Sequence, residues 1–131
     1  ASSRPPSGQT MPEAPRERPT HAVVLHEFRA HIRARPKPIF DSIARRFDPG
    51  EGARSLYTAD SSAWVVIVQG GWWYRAEYRV IPDDEGATIE HALVSVAETA
   101  RRIGRWSGRK ALDTAPAEFE RLITSLRAEL E

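Results

Sequence analysis

Apolar residues recur with a period of two between His21 and Arg33. Val24, His26, Phe28, Ala30 and Ile32 share one face, and Glu27, Arg29, His31 and Arg33 share the other. That alternation predicts a half-buried strand with the first set turned inward. Pro36 and Pro38 stop the strand and open a helix, because proline is tolerated in a helix's first turn. Ile39, Phe40, Ile43 and Phe47 form its apolar stripe. Asp48-Pro49-Gly50 closes it.

Four extended stretches follow. Ser55–Thr58 is short, and Ala63–Gln69 is rich in β-branched residues. Gly70-Gly71 permits a tight turn into Trp72–Ile81. Asp83-Asp84-Glu85-Gly86 is a turn signal leading into Ala87–Val96. Consecutive strands with short turns imply an antiparallel meander rather than a parallel sheet. Parity turns Trp72, Tyr74, Ala76, Tyr78 and Val80 inward, and Arg75, Glu77 and Arg79 outward. By the same logic Ile89, His91, Leu93 and Ser95 face inward, as do Trp64, Val66 and Val68.

The basic, glycine-containing stretch Arg101–Lys110 reads as a loop. Asp113 or Thr114 then caps a final helix, with Pro116 in its first turn. Phe119, Leu122, Ile123, Leu126 and Leu130 make its apolar stripe. A sheet must cover its apolar face, and this helix is the element long enough to do so. The predicted class is α+β, a curved antiparallel sheet of about five strands gripping the C-terminal helix. A strongly twisted sheet around one helix leaves an unfilled apolar space near the first helix and the hairpin tips.

The chain's 131 residues fit one domain, spanning 21–131. Residues 1–20 are rich in Pro, Ser, Gly, Glu and Arg and offer almost nothing to bury, so they read as a disordered arm. Met11 is the single methionine, which fits a native start there with an appended leader before it. The net charge of +1 removes any bulk electrostatic case for nucleic acid. There is no cysteine, which rules out disulfides, thiol nucleophiles and CxxC sites. No apolar run approaches the ~20 residues that span a bilayer. The chain therefore reads as soluble and cytoplasmic, with no transmembrane segment.

The stretch Ile32-Arg33-Ala34-Arg35-Pro36-Lys37-Pro38-Ile39-Phe40-Asp41-Ser42-Ile43 runs from a strand through small and proline residues into a helix bearing a bulky aromatic. Tyr74–Val80 followed by the DDEG hairpin completes a pattern over 21–131 that resembles the START-like, or SRPBCC, proteins. These include the polyketide cyclase/dehydrase-like and Bet v 1-like groups. The resemblance implies a helix-grip fold, a sheet of about five to seven strands wrapped around the long C-terminal helix. It also implies a hydrophobic ligand such as a lipid, sterol or polyketide. The family has no universal catalytic motif, so no catalytic residue is carried over. Its sheet usually has six or seven strands and its fold a second short helix. Fewer strands would shrink the cavity or leave a partner to complete it.

His26 and His91 both fall on predicted inward faces, on strands whose antiparallel pairing would bring them close. Each is an acid, base or polar anchor for a ligand, or else a core histidine bonded to a backbone carbonyl or to Tyr74 or Tyr78. Trp64, Trp72, Tyr74 and Tyr78 either line a pocket or pack the core. Phe28, Phe40, Leu93, Phe119 and Ile123 complete the candidate lining. Trp73 falls on the opposite face, as a contact surface. Arg101, Arg102, Arg105, Arg109 and Lys110 form a basic cluster that is either an anion site or a solvated loop.

There is no GxSxG elbow and no Walker or GxGxxG loop. The histidines lack metal-site spacing, and no cofactor is expected. Three functions remain: a hydrophobic small-molecule binder, a cyclase or dehydratase using cavity His and Tyr as acid and base, and an interaction protein, such as a homodimer, with a filled core.

Overall fold

The computed structural model describes residues 13–19, 22–50, 55–70, 74–95 and 109–131. The elements are β1 (Val23–Ile32), α1 (Pro36–Phe47), β2 (Leu56–Asp60), β3 (Val65–Gly70), β4 (Tyr74–Asp83), β5 (Gly86–Ser95) and α2 (Arg109–Leu130). The chain is α+β, with one five-stranded sheet ordered β1-β5-β4-β3-β2. Every pairing is antiparallel. β2 to β5 form the expected meander, and β1 closes against β5.

Register follows the alternation in the sequence. Phe28, His91, Tyr78 and Val66 fall in one row across β1, β5, β4 and β3. They meet the helices on the inner face, where Ile32, Ile39, Ile43, Val66, Ile89 and Leu126 are fully buried. Both helices cover this face: α2 lies against β1, and α1 against β3 and β4. The short helix thus shares a task that length alone assigned to the long one.

Polar contacts pin the helices in place. Ser42 donates to Glu129 at 2.9 Å, and Arg46 to the same carboxylate at 2.8 Å. Tyr57 donates its hydroxyl to the Ala44 carbonyl at 2.7 Å, tying β2 to α1. Arg127 donates to the His31 carbonyl at 3.0 Å, tying α2 to β1.

Several details depart from the sequence reading. Val24 is 41 % exposed rather than turned inward. A bulge between Val24 and His26 leaves Leu25 without an opposite residue. Two residues facing one reverse the parity of everything before the bulge. β3 begins at Val65, so Trp64 lies in the preceding turn and not on the strand face. Its φ of 55° is unusual for a bulky residue. Its carbonyl accepts the Val80 amide at 2.9 Å, and its ring meets Phe40 edge-on at 5.5 Å.

α2 begins at Arg109 and holds Pro116 in its interior. Proline there leaves the carbonyl four residues back without a helical donor. Reading it as a first-turn marker therefore places the start about one and a half turns too late. The expected loop at 101–110 overlaps this helix at its end, and residues 101–108 lie outside those described. Among the described residues, no helix is long and apolar enough to cross a membrane.

The largest departure concerns the N-terminal stretch. Residues 13–19 pack on the outer face of the sheet, although their composition offers little to bury. Ala14 is 1 % exposed, seated against Val65 and Ile67. The outer faces of β3 and β5 are themselves apolar at Val65, Ile67, Ala92 and Val94, and a covered sheet face accepts even a small residue. Residues 1–12 and 20 lie outside those described.

Candidate functional site

Between the inner face and the helices is a cavity of about 280 Å³. β3, β4 and β5 supply Val68, Ala76, Tyr78, His91 and Leu93 as one wall. Phe47 of α1 and Ala115, Phe119 and Leu122 of α2 supply the other, with Glu118 at the rim. The strands contribute every second residue, so parity selects the lining. Ala76 and Ala115 make the space, because neither reaches across it.

His91 is the polar feature of this wall. It is 7 % exposed. Its Nδ1 lies 3.0 Å from the Glu77 carbonyl. A carbonyl only accepts, so Nδ1 carries the proton and Nε2 is left as an acceptor. Among the described residues no sealed-off side-chain nitrogen or oxygen lacks a partner. Nε2 has no partner among the described contacts of His91, and so it reaches accessible space. Burial lowers the His91 pKa below its ordinary value, the Glu77 carbonyl opposing this in part. The ring is neutral at neutral pH.

Aromatic rings surround it. His91 lies flat on Tyr78, with centroids 4.2 Å apart and planes 3° from parallel. Phe47 stacks on Tyr78 at 4.5 Å. Phe28 stacks on His91 at 5.6 Å, on Phe119 at 5.2 Å and on His26 at 5.4 Å. The two histidines sit diagonally across β1 and β5, with Phe28 in contact with both.

Of the residues predicted from sequence, Tyr78, His91, Leu93 and Phe119 line the cavity. Phe28 and His26 form the ring stack beside it. Phe40, Trp64 and Ile123 belong to the adjoining core and do not line it. Phe40 of α1 packs edge-on against Trp64 in the turn before β3, and Ile123 is buried on α2. Trp72, Trp73 and the side chains of Tyr74 and 101–110 lie outside the described residues. Phe47, Val68, Ala76, Ala115, Glu118 and Leu122 are additional lining. The apolar stripes contained Phe47 and Leu122, and parity contained Ala76 and Val68, but only the three-dimensional crossing of helix over sheet selects them.

A larger hollow of about 490 Å³ lies on the outer face, beside Arg18, Glu27, Arg29, Glu77, Arg79 and Glu90. Arg18 pairs with Glu77, and Arg29 with Glu90. Phe28, His91 and Ala92 also border it, but its walls are mostly charged, so the smaller inner space is the one better suited to an apolar molecule.

Arg75 is the residue whose burial the sequence did not reveal. It sits on the outer face as predicted, yet it is 0 % exposed. It donates to the Glu77 carboxylate at 2.7 Å and to the Arg16 carbonyl at 3.0 Å, and also to the Pro15 carbonyl. Burial pushes the Glu77 carboxyl up, but hydrogen bonds from Arg18 and Arg75 outweigh it and hold its pKa below the ordinary value. Among the described residues no group of three His, Asp or Glu is placed to hold a metal.

No protein-family model matches this chain, and no curated protein or solved structure matches it either.

Proposed function

We propose that this chain binds a small, mostly apolar molecule in the cavity between its sheet and α2, with His91 Nε2 accepting a hydrogen bond from a ligand hydroxyl or amide. The observation that carries the reading is the lining itself. Aromatic and aliphatic side chains line about 280 Å³ together with His91, whose Nδ1 is committed to the Glu77 carbonyl and whose Nε2 is left to accept. Small-molecule sites combine an apolar wall with a few placed polar groups, at volumes of about 300–1,000 Å³. At about 280 Å³ this space falls just below that range. In this reading the architecture is a helix-grip fold of the START-like kind, and a sheet with fewer strands than usual encloses a correspondingly small cavity.

An acid–base enzyme finds less support. The Nδ1 of His91 is committed to a backbone carbonyl, and its contact with Tyr78 is between ring faces rather than polar atoms. The experiment is native mass spectrometry of the purified full chain beside its denatured mass. Extra mass lost on denaturation supports the binder. A bare species at twice the chain mass supports a homodimer instead, with the edge strand β1 and its exposed Val23 and Val24 as the first surface to test.

A further inference from the structure

The same short stretch of β4 serves both faces of the sheet. Ala76 and Tyr78 point inward and wall the cavity. Arg75 and Glu77 point outward and hold residues 14–18. The segment is tied at both ends. Thr58 donates its hydroxyl to the Ala14 carbonyl at 2.7 Å. Arg18 donates two bonds from Nε and one from a terminal nitrogen to the Glu77 carboxylate, at 2.7–3.1 Å. Between these ties Arg75 reaches the carbonyls of Pro15 and Arg16, and that cover is what removes it from water. Arg16 adds a bond to Asp60 at 2.9 Å.

Glu77 joins the two faces. Its carboxylate receives Arg18 and Arg75 on the outside, and its backbone carbonyl receives the Nδ1–H of His91 on the inside. We infer that residues 14–18 are a positioning strap, whose docking on the outer face fixes β4 at Arg75–Glu77 and through the Glu77 carbonyl fixes the ring of His91 at the cavity wall. Release of the strap would uncover the Arg75 guanidinium and withdraw Arg18 from Glu77. The strand would lose the contacts that hold its outer side while its inner side faces the cavity. Strap docking and cavity occupancy are then linked equilibria, and each must favour the other by the same factor. This ligand consequence rests on reading the cavity as a binding site, whereas the link from strap to His91 does not.

Two variants of the full chain loosen the strap from opposite ends without touching the cavity: Arg18→Ala and Thr58→Val. Hydrogen exchange of residues 13–19 reports the strap, and imidazole nitrogen NMR reports His91. Affinity for 1-anilinonaphthalene-8-sulfonate reports the cavity. Both variants are expected to speed exchange across 13–19, to shift the His91 ring resonances, and to weaken probe binding about fivefold. Faster exchange with His91 resonances unmoved in both variants overturns the inference. So does a shift in Arg18→Ala alone, which would mark a local contact with Glu77 and no strap. Unchanged exchange in both overturns it too, because these ties would then not hold the segment. If the probe fails to bind even the wild-type chain, the ligand reading falls, and the NMR comparison still decides the strap.

Discussion

The imidazole of His91 lies flat on the ring of Tyr78, 4.2 Å away, while its Nδ1 bonds the carbonyl of Glu77 one residue earlier on the same strand. One residue is thereby held by a stack and by a hydrogen bond at right angles to it. His91→Phe keeps the stack and removes the bond, leaving the Glu77 carbonyl without this donor. The expected loss of stability is about 1–2 kcal/mol, read by urea unfolding. Ligands that carry a hydroxyl should weaken about tenfold, the equivalent of one ordinary hydrogen bond. Purely hydrocarbon ligands should bind about as before.

Acid destabilisation should come in two steps. Burial puts the folded-state pKa of His91 below its ordinary 6.5. Just below pH 6.5 the unfolded chain takes up a proton on this ring and the folded chain does not. Stability therefore falls as pH drops through that window, and levels off once the folded ring protonates too. The second step belongs to carboxylates held low. Glu77 lies below its ordinary 4.5, and Asp60 is lowered from 3.8 to about 2 by the Ser62 hydroxyl and Arg16. Their contribution is present above those ordinary values and is lost as pH falls through the folded ones. Unfolding free energies measured from pH 8 to pH 3 should show His91→Phe flattening the upper step while the lower one persists.

Arg75→Met tests the outer face. The substitution keeps much of the volume but removes a fully buried guanidinium that serves Glu77 and two arm carbonyls. Breaking a buried charge pair from one side costs about 3–5 kcal/mol. Arg18 still serves Glu77 here, so a loss near the lower figure is expected. Denaturant unfolding measures the loss, and proteolysis should find 13–19 newly cleavable.

Gly86→Ala should damage the β4–β5 hairpin. Gly86 has φ of 144°, and a Cβ there would overlap the Ile32 carbonyl oxygen and crowd the Ala34 amide. Both obstacles are backbone, so β1 would have to move. A loss above the ~1 kcal/mol typical of a point substitution is expected, seen as a lowered Tm.

Much of this was legible in the chain. The alternation around Phe28, Tyr78 and His91 placed all three on the inner face, because one-sided burial fixes register. The meander of β2 to β5 followed from the short turns between them, whereas the antiparallel pairing of β1 with β5 was expected from the resemblance to helix-grip proteins. Local signals could not show the bulge at Leu25, which alters parity without leaving a Gly or Pro. Nor could they show Arg75 buried, since an arginine between polar neighbours reads as solvated until another segment covers it. Composition made 13–19 look free, yet one alanine, three carbonyls and the side chains of Arg16 and Arg18 hold it on an apolar outer face. Of the proposed lining, Trp64 failed because the turn ends one residue later than its β-branched neighbours imply.

The central claim is that the space beneath α2 takes an apolar molecule. The most direct measurement is a fluorescence titration with 1-anilinonaphthalene-8-sulfonate of the wild-type chain and of Ala115→Leu, which fills that space from the helix side. Saturable binding of one probe per chain, lost in Ala115→Leu while its unfolding midpoint holds or rises, is the predicted result. Absence of saturable binding, or equal binding by the filled variant, would contradict the account.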